Sequence, residues 1–344
     1  MNKDYSKRLE NLRKRRFDDN LNKAILSESF DRVPYKGSVK YALESMQPID
    51  ANYTANTFLA SEKIQGHLTK GLSEKGLEVD YKHQGSVMMN ASIKLHSDID
   101  LLVITKKFET LEMPQVPQFP YTGDPLVDLR NLRSMCFSIL NTTYNQVDDS
   151  NPKSIQVYLT NPKRKVDVVI ANWYNSNDFA VNFMGDDYRG IHIYNKAENT
   201  RKSGFPFLHI ALVNNKGARV NDGLHKLIRL LKTLKADADY EIKLSSFEIT
   251  SLLYDISEYS LNKSKNQQLL LLREASAQLG KLIDNSDYRE RLISPDGKEY
   301  VFRNDSSKLV ELKKMKLEVD ELIQDIIEEL SSYYRRIDNE IIYS

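Results

Sequence analysis

Residues 84–104, QGSVMMNASIKLHSDIDLLVI, decide the fold that this chain adopts. Asp98 and Asp100 open the apolar end of this stretch, and residues 101–104 continue it as a buried β-strand. Because successive side chains of a strand alternate between its two faces, we expect the two carboxylates to point the same way. Carboxylates held side by side repel each other unless a cation lies between them, and Mg²⁺ prefers such oxygen ligands.

A later strand carries a third acid. Residues 165–171, KVDVVIA, form a β-branched run with Asp167 inside it. An aspartate is unfavourable in a strand and costly to bury without a partner, so this position favours a ligand role. Two metal ions about 3.5–4 Å apart can activate an attacking hydroxyl and stabilise a leaving pyrophosphate together. We therefore predict that Asp98, Asp100 and Asp167 are the catalytic acids and metal ligands, with Mg²⁺ as cofactor and Mn²⁺ able to substitute.

A glycine-serine pair precedes the acidic strand. Gly85 and Ser86 follow a predicted strand that ends near Gln84. Glycine lets the backbone approach a phosphate closely, and the serine hydroxyl and the amides of the turn can donate to its oxygens. A lone Asp-x-Asp is usually a solvated turn, but the Gly-Ser turn, the apolar strand and the second acidic strand together favour catalysis. We predict that Gln84, Gly85 and Ser86 bind a nucleotide.

Composition excludes several classes of protein. The 344 residues suffice for two domains, and 40% hydrophobic and 28% charged residues are ordinary for a globular protein. No apolar run approaches the roughly 18 residues that span a bilayer, and the charged N-terminus lacks a secretory signal. The single cysteine, Cys136, excludes an intramolecular disulfide and indicates a small buried residue. We expect a cytoplasmic protein, and its net charge of +1 gives no global attraction to nucleic acid or to a membrane surface.

The secondary-structure pattern changes near Gly204. Residues 2–20 and 51–75 are predicted helices, short Val- and Ile-rich segments follow between 77 and 173, and Pro125 suits the first turn of a helix among them. From 205 onward the pattern is helical. We predict an α+β fold with a catalytic lobe at 1–204, which includes the N-terminal helices, and a helical lobe at 205–344.

The stretch from Gly85 to Asp100 resembles the signature of the DNA polymerase β-like nucleotidyltransferases. More narrowly, Gly-Ser, ten residues and then Ser-Asp-Ile-Asp resemble the cGAS/DncV-like nucleotidyltransferases of bacterial anti-phage (CBASS) signalling. The resemblance implies a mixed sheet with helices, a C-terminal helical lobe and an active-site cleft between the lobes. Family members often carry Gly-Thr where this chain has Asn90-Ala91, and asparagine tolerates the left-handed conformation.

The resemblance also assigns roles in the helical lobe. HKLIRLLKTLK, residues 225–235, is similar to the basic helix that contacts the triphosphate in this family. We choose Arg229 and Lys232 for phosphate contacts, while the leucines and the isoleucine of this helix form an apolar face. An ordinary solvated basic face is the alternative.

LSSFEIT, residues 244–250, corresponds to a family segment in which a serine contacts the triphosphate and the next aromatic side chain stacks on a base. Those roles fall on Ser246 and Phe247, and base–aromatic stacking is worth roughly 1–3 kcal/mol. In the competing interpretation Ser245 caps the helix and Phe247 belongs to the core.

The resemblance implies an enzyme that joins nucleoside triphosphates, with ATP the expected one among others, into a cyclic di- or trinucleotide with release of pyrophosphate. A downstream effector would bind this second messenger, and a regulatory partner is open. Neither a membrane nor nucleic acid is required. The alternatives are linear products, as in oligoadenylate synthetases, addition of nucleotides to RNA or protein, and a sensor gated by RNA. A non-catalytic module is disfavoured because all three acids are present.

Overall fold

The structure is a computed structural model that describes residues 3–16, 37–93, 99–182 and 185–343, without the side chains of 181, 182 and 334–343. The chain divides into two compact units. The sheet unit comprises Asp50–Asn90 and His96–Leu212, and the helical unit comprises Met1–Ile49, Ala91–Leu95 and Val213–Ser344.

Seven strands form one mixed sheet in the described part of the sheet unit. They are β1 (Val79–Gln84), β2 (Ile99–Leu111), β3 (Val147–Asp148), β4 (Ile155–Thr160), β5 (Lys163–Asn175), β6 (Gly190–Asn195) and β7 (Thr200–Gly204). The order is β1-β2-β5-β4-β3, with β6 paired to the second half of β5 and β7 paired to β6. Strands β2 and β5 are parallel, and the other pairs are antiparallel.

The described α-helices fall in both units. They are α1 (Tyr5–Arg16), α2 (Ser38–Ser45), α3 (Ala51–Ser73), α4 (Pro125–Thr143), α5 (Asn177–Asn182), α6 (Pro206–Arg219), α7 (Gly223–Asp237), α8 (Ser246–Tyr254), α9 (Glu258–Leu261), α10 (Leu271–Asp284), α11 (Ser286–Arg291) and α12 (Ser307–Tyr343). Short 3₁₀ turns occur at Asp186–Tyr188 and Lys265–Leu270. None of the helices in the described ranges combines the length and the apolar character that crossing a membrane requires.

The two faces of the central strands bury different residues, because their side chains alternate. On one face, Leu101 and Val168 pack against apolar side chains of α3 and α4. On the other face, Leu102 and Val169 belong to a separate apolar cluster that includes Phe207 of α6. Both faces of β2 and β5 are therefore apolar along most of their length, as a buried parallel pair requires.

Local sequence sets the boundaries of the helices beside the sheet. The Asp50 side chain accepts a hydrogen bond from the backbone N–H of Asn52 at the start of α3. The Asp124 side chain does the same at α4, where Pro125 occupies the first turn as predicted. Cys136 is fully buried in α4, and this burial raises the pKa of its thiol to about 12. It is the small buried residue that its sequence context indicated.

Helix α7 packs against α1, α2, α8, α10 and α12 within the helical unit. Its predicted apolar face is confirmed, since Leu224, Leu227, Ile228, Leu231 and Leu234 are each 0% exposed. The helix begins after Asp222, which has a left-handed conformation and makes no side-chain capping hydrogen bond.

Helices α1 and α2 belong to the helical unit, whereas α3 belongs to the sheet unit, so the division of the chain differs from the predicted lobe at 1–204. Arg8 of α1 donates to Glu318 of α12 at 3.0 Å, and Arg15 donates to Asp237 at the end of α7 at 2.6 Å. These ion pairs link elements more than two hundred residues apart in sequence. Sequence order gives no signal for such long-range pairing.

Candidate active site

Two of the predicted acids lie side by side on the central strands. Asp100 of β2 and Asp167 of β5 are direct partners in the parallel pairing register. Leu101 and Val168, the next residues of the two strands, face α3 and α4. Strand alternation therefore directs both carboxylates to the opposite face of the sheet. Because neighbouring strands are about 4.8 Å apart, two carboxylates at paired positions are close enough to share a cation.

The pairing register extends this pair of acids into a row of polar residues across four strands. Gln84 of β1 is the partner of Asp100, and Gln156 of β4 is the partner of Asp167. The Gln84 Nε2 atom donates to Asp100 Oδ2 at 3.1 Å. The predicted residue Gln84 is thus placed beside an acid, where its amide fixes one carboxylate oxygen. We call Gln84, Asp100, Asp167 and Gln156 the polar row.

Asp167 is the more enclosed of the two acids. It is 8% exposed, and its two carboxylate oxygens have different partners. The Ser154 hydroxyl donates to Oδ1 at 3.0 Å, and the Lys165 ammonium lies 3.1 Å from Oδ2. These two partners compensate the buried carboxylate, which would be strongly destabilising without them, and the role of Asp167 as a metal ligand stays a prediction.

Asp98 lies outside the described residues, so its role as a ligand stays a prediction. The described part of the chain, which lacks Asp98, contains no group of three or more His, Cys, Asp or Glu side chains arranged to hold a metal ion. The donors that are described do fit a hard divalent cation. Asp100 and Asp167 supply carboxylate oxygens on one face of adjacent strands, and Mg²⁺ is usually bound by one or two such carboxylates together with substrate phosphates.

The glycine-serine turn leaves β1 directly beside Asp100. Gly85 has a φ of 103°, a conformation that side chains rarely adopt, so glycine is required at this position. The turn is closed by hydrogen bonds from the Met88 N–H to the Gly85 carbonyl and from the Asn90 N–H to the Val87 carbonyl, both 3.2 Å. Ser86 is half-buried within it. Asn90 has a φ of 49°, which confirms that asparagine occupies the left-handed conformation here.

Arg229 does not have the location predicted for a phosphate contact. Its side chain is 0% exposed, which places the guanidinium inside the helical unit. Nε donates to the Met46 carbonyl at 2.7 Å, and Nη2 donates to Asp222 Oδ2 at 2.5 Å. We therefore correct the prediction for Arg229: it is a buried structural residue that ties α7 to the segment after α2.

The other predicted contacts of the helical unit lie nearer its surface. The Lys232 ammonium donates to the Ala91 carbonyl at 2.7 Å, and its side chain is half-buried. Ser245 caps α8 through a reciprocal capping box with Glu248, so the competing interpretation was right about the cap. Ser246 is exposed and Phe247 is only half-buried, which leaves Phe247 outside the core. The nucleotide contacts of Lys232, Ser246 and Phe247 stay predictions.

Comparison with known proteins identifies the family. Residues 211–327 match the model of the cGAS/DncV-like nucleotidyltransferase C-terminal helical domain. A protein from Capnocytophaga granulosa named c-di-GMP synthase is 37% identical, with 92% of this chain and 96% of that protein covered. The chain belongs to the cGAS/DncV-like nucleotidyltransferases.

Two solved structures of cGAS/DncV-like nucleotidyltransferases are similar over almost their whole length. The STING-associated CdnE c-di-GMP synthase from Capnocytophaga granulosa has a TM-score of 0.81 at 35% identity, covering 96% of this chain and 100% of that one. A STING-associated CdnE c-di-GMP synthase from Flavobacteriaceae sp. has a TM-score of 0.82 at 30% identity, with 94% and 99% covered. The polymerase β-like fold and the nucleotidyltransferase class are therefore confirmed, and the named relatives agree with the prediction of a cyclic-oligonucleotide synthase.

Sequence reasoning missed three polar residues of this nucleotidyltransferase that surround Asp167. Lys165 had a signal, because it lies two residues before Asp167 on one strand and so shares its face. Ser154 and Gln156 come from β4 and its N-terminal flank, and only the antiparallel register brings them to Asp167. That register depends on the turn between β4 and β5, which residue spacing alone does not specify.

Proposed function

We propose that this cGAS/DncV-like nucleotidyltransferase is a c-di-GMP synthase that joins two GTP molecules and depends on Mg²⁺ held by Asp98, Asp100 and Asp167. One observation carries the catalytic part, namely the in-register placement of Asp100 and Asp167 on one face of β2 and β5. Three comparisons support the product, because relatives 30–37% identical over nearly the whole chain are c-di-GMP synthases. The proposal therefore takes GTP as the substrate, where the resemblance in sequence implies ATP among others.

The residues of the polar row and of the turn would orient the reactants. Gln84 holds one oxygen of Asp100, and Ser154 and Lys165 hold the two oxygens of Asp167, so both carboxylates are positioned before substrate arrives. The backbone amides of the turn at Gly85 would donate to phosphate oxygens. Bound Mg²⁺ would supply positive charge to the triphosphate and lower the pKa of the attacking hydroxyl.

The chemistry is two successive transfers. A ribose hydroxyl of one GTP loses its proton and attacks the α-phosphorus of the other, so one P–O bond forms, the bond to the β-phosphate breaks and pyrophosphate leaves. A second transfer within the linear intermediate closes the ring and releases a second pyrophosphate. Such transfers depend on positioning and charge stabilisation more than on covalent catalysis by the protein.

Incubation with labelled nucleotides tests the proposal. We expect GTP alone with Mg²⁺ to give a phosphatase-resistant product with the mass of c-di-GMP, and EDTA to abolish it. Asp167→Asn should reduce turnover at least about 100-fold, because it removes a charged oxygen at the reacting centre. Asp186→Asn, at a surface aspartate of the same unit, is the matched control and should turn over like the wild type.

The outcomes separate the parts of the proposal. A product that forms only when ATP, CTP or UTP is added would contradict the assignment of GTP. A linear, phosphatase-sensitive product would contradict cyclisation. Full activity in Asp167→Asn, or in EDTA, would contradict the metal site. The STING association of both solved relatives supports a role in anti-phage signalling through an effector that binds the product.

A further inference from the structure

We propose that Lys165 is a resident counter-cation that occupies Asp167 while the metal is absent and competes with the metal for the same oxygen. This inference rests on the proposed metal dependence of the enzyme. Lys165 would thereby set the concentration of divalent cation at which Asp167 becomes a ligand. It is a positioning residue that acts through Asp167, since it is not itself assigned to the reacting atoms.

The geometry places the ammonium where a metal ion would bind. Lys165 and Asp167 are two residues apart on β5, so strand alternation puts both side chains on the face of the polar row. The Lys165 Nζ atom lies 3.1 Å from Asp167 Oδ2, and the two side chains are 22% and 11% exposed. The other oxygen, Oδ1, already accepts the hydroxyl of Ser154. A divalent cation that binds Oδ2 therefore meets the ammonium of Lys165 there.

The competition follows from charge. Without metal, the enclosed carboxylate of Asp167 lies next to the carboxylate of Asp100 and needs a compensating positive charge, which Lys165 supplies. A divalent cation at the same oxygen would be repelled by the ammonium, so the ammonium has to withdraw. A lysine can do this, because it is a compact charge on a flexible stem, and at 22% exposure the side chain of Lys165 reaches solvent.

The chain contains a matched ion pair for comparison. Lys107 of β2 pairs with Asp128 of α4 at 2.7 Å, and it is also a strand lysine bonded to an aspartate. Asp128 is not a predicted metal ligand, so we expect no divalent cation to compete with Lys107 for its carboxylate. Loss of either lysine removes one ion pair, but only loss of Lys165 should change the affinity for a divalent cation.

The experiment measures metal binding and does not depend on turnover. Mn²⁺ binding is titrated by the electron paramagnetic resonance signal of the free ion, and melting temperatures are recorded in EDTA and in MgCl₂. We expect Lys165→Met to bind Mn²⁺ at least about fivefold more tightly than the wild type, because a positive charge beside the site is removed. Its melting temperature should fall in EDTA and recover with MgCl₂ by more than that of the wild type. Lys107→Met should bind Mn²⁺ like the wild type, and MgCl₂ should raise its melting temperature by no more than that of the wild type.

A measurement on the wild type guards against a variant that does not fold. The side-chain NH₃⁺ signal of Lys165 in a ¹⁵N-labelled sample should shift on addition of Mg²⁺, while that of Lys107 stays in place. Unchanged or weaker Mn²⁺ binding by Lys165→Met, or a Lys165 signal insensitive to Mg²⁺, would overturn the competition. If the wild type binds metal and makes product in those cases, the proposed function stands. If the wild type binds no Mn²⁺, or Asp167→Asn binds it equally well, both proposals fail.

Discussion

Replacing Arg229 by methionine separates the role seen in the structure from the role predicted from sequence. Methionine has a similar length and keeps the apolar stem, but it removes the guanidinium. The variant loses the bond from Nε to the Met46 carbonyl and the bond from Nη2 to Asp222, at 2.7 and 2.5 Å. It also leaves the Met46 carbonyl without this donor in the interior of the helical unit.

The expected loss follows from these two bonds. A hydrogen bond to a charged group contributes about 1.5–3 kcal/mol, which would give 3–6 kcal/mol for the pair. The side chain of Asp222 is 37% exposed and keeps its 2.7 Å contact with Nδ1 of His225. The loss of stability is therefore expected at the lower end of the range of about 3–6 kcal/mol. We expect Arg229→Met to be destabilised by about 3 kcal/mol, which lowers the melting temperature by about 6–12 °C.

The assay pairs thermal unfolding, followed by circular dichroism, with initial rates against GTP concentration well below the melting temperature of the variant. Lys226→Met, one turn earlier on α7 and half-buried, is the control and should change stability by less than about 0.5 kcal/mol. For a structural Arg229, the folded variant keeps the KM for GTP. An unchanged melting temperature together with a raised KM would refute this reasoning and restore the phosphate contact.

Three further predictions concern a helix cap, a turn and a histidine. Ser245→Ala should lower the free energy of unfolding by about 1 kcal/mol, because it removes the cap of α8. Ser246→Ala should leave the melting temperature unchanged and raise the KM for GTP. The reverse pattern would contradict both assignments. Gly85→Ala should lower the free energy of unfolding by about 1–2 kcal/mol, because the φ of Gly85 is 103°, and it should also lower kcat/KM. Gly66→Ala, in the open middle of α3, should leave stability unchanged or raise it. Equal effects of the two variants in thermal unfolding would argue against a strained turn. Burial and the charge of Arg201 lower the pKa of His192 from 6.5 to about 4. As the pH falls, His192 is therefore protonated in the unfolded chain before it is protonated in the folded one, so the free energy of unfolding decreases between pH 6.5 and pH 4. His192→Phe should show a shallower loss of melting temperature over that window, and parallel curves for the two proteins would contradict the pKa shift.

The placement of Asp100 and Asp167 could be predicted from sequence because it depends on local pattern. Asp100 and Asp167 each interrupt an apolar strand, and the apolar residues on either side define which way the acid points. The same local logic predicted the apolar face of α7 and Pro125 at the start of α4. In each case the signal is a side-chain period or a backbone constraint that needs no knowledge of distant residues.

Arg229 is a residue whose burial could not be predicted from local sequence pattern. Its spacing from Lys226 and Lys232 places it on a basic face of α7, and a basic face is normally solvated. In the structure this part of the helix is covered by the segment that ends α2, whose Met46 carbonyl accepts the guanidinium. A helical period reveals which residues share a face, but not which other element covers that face. The contacts of α1 and α2 with the helical unit could not be predicted for the same reason.

The apolar residues beside the polar row hold its two acids in register. The pairs Ile99–Val166 and Leu101–Val168 flank Asp100–Asp167 in the register, and all four apolar residues are 0% exposed. A slip of one residue in either strand would move its acid towards α3 and α4 and turn its flanking apolar side chains to the face of the polar row, so burial of the core opposes the slip strongly. The repulsion between the two carboxylates is therefore opposed by the packing on either side of them. This is why the acids can be held together before a metal arrives, with Lys165 and Ser154 compensating only the local charge of Asp167.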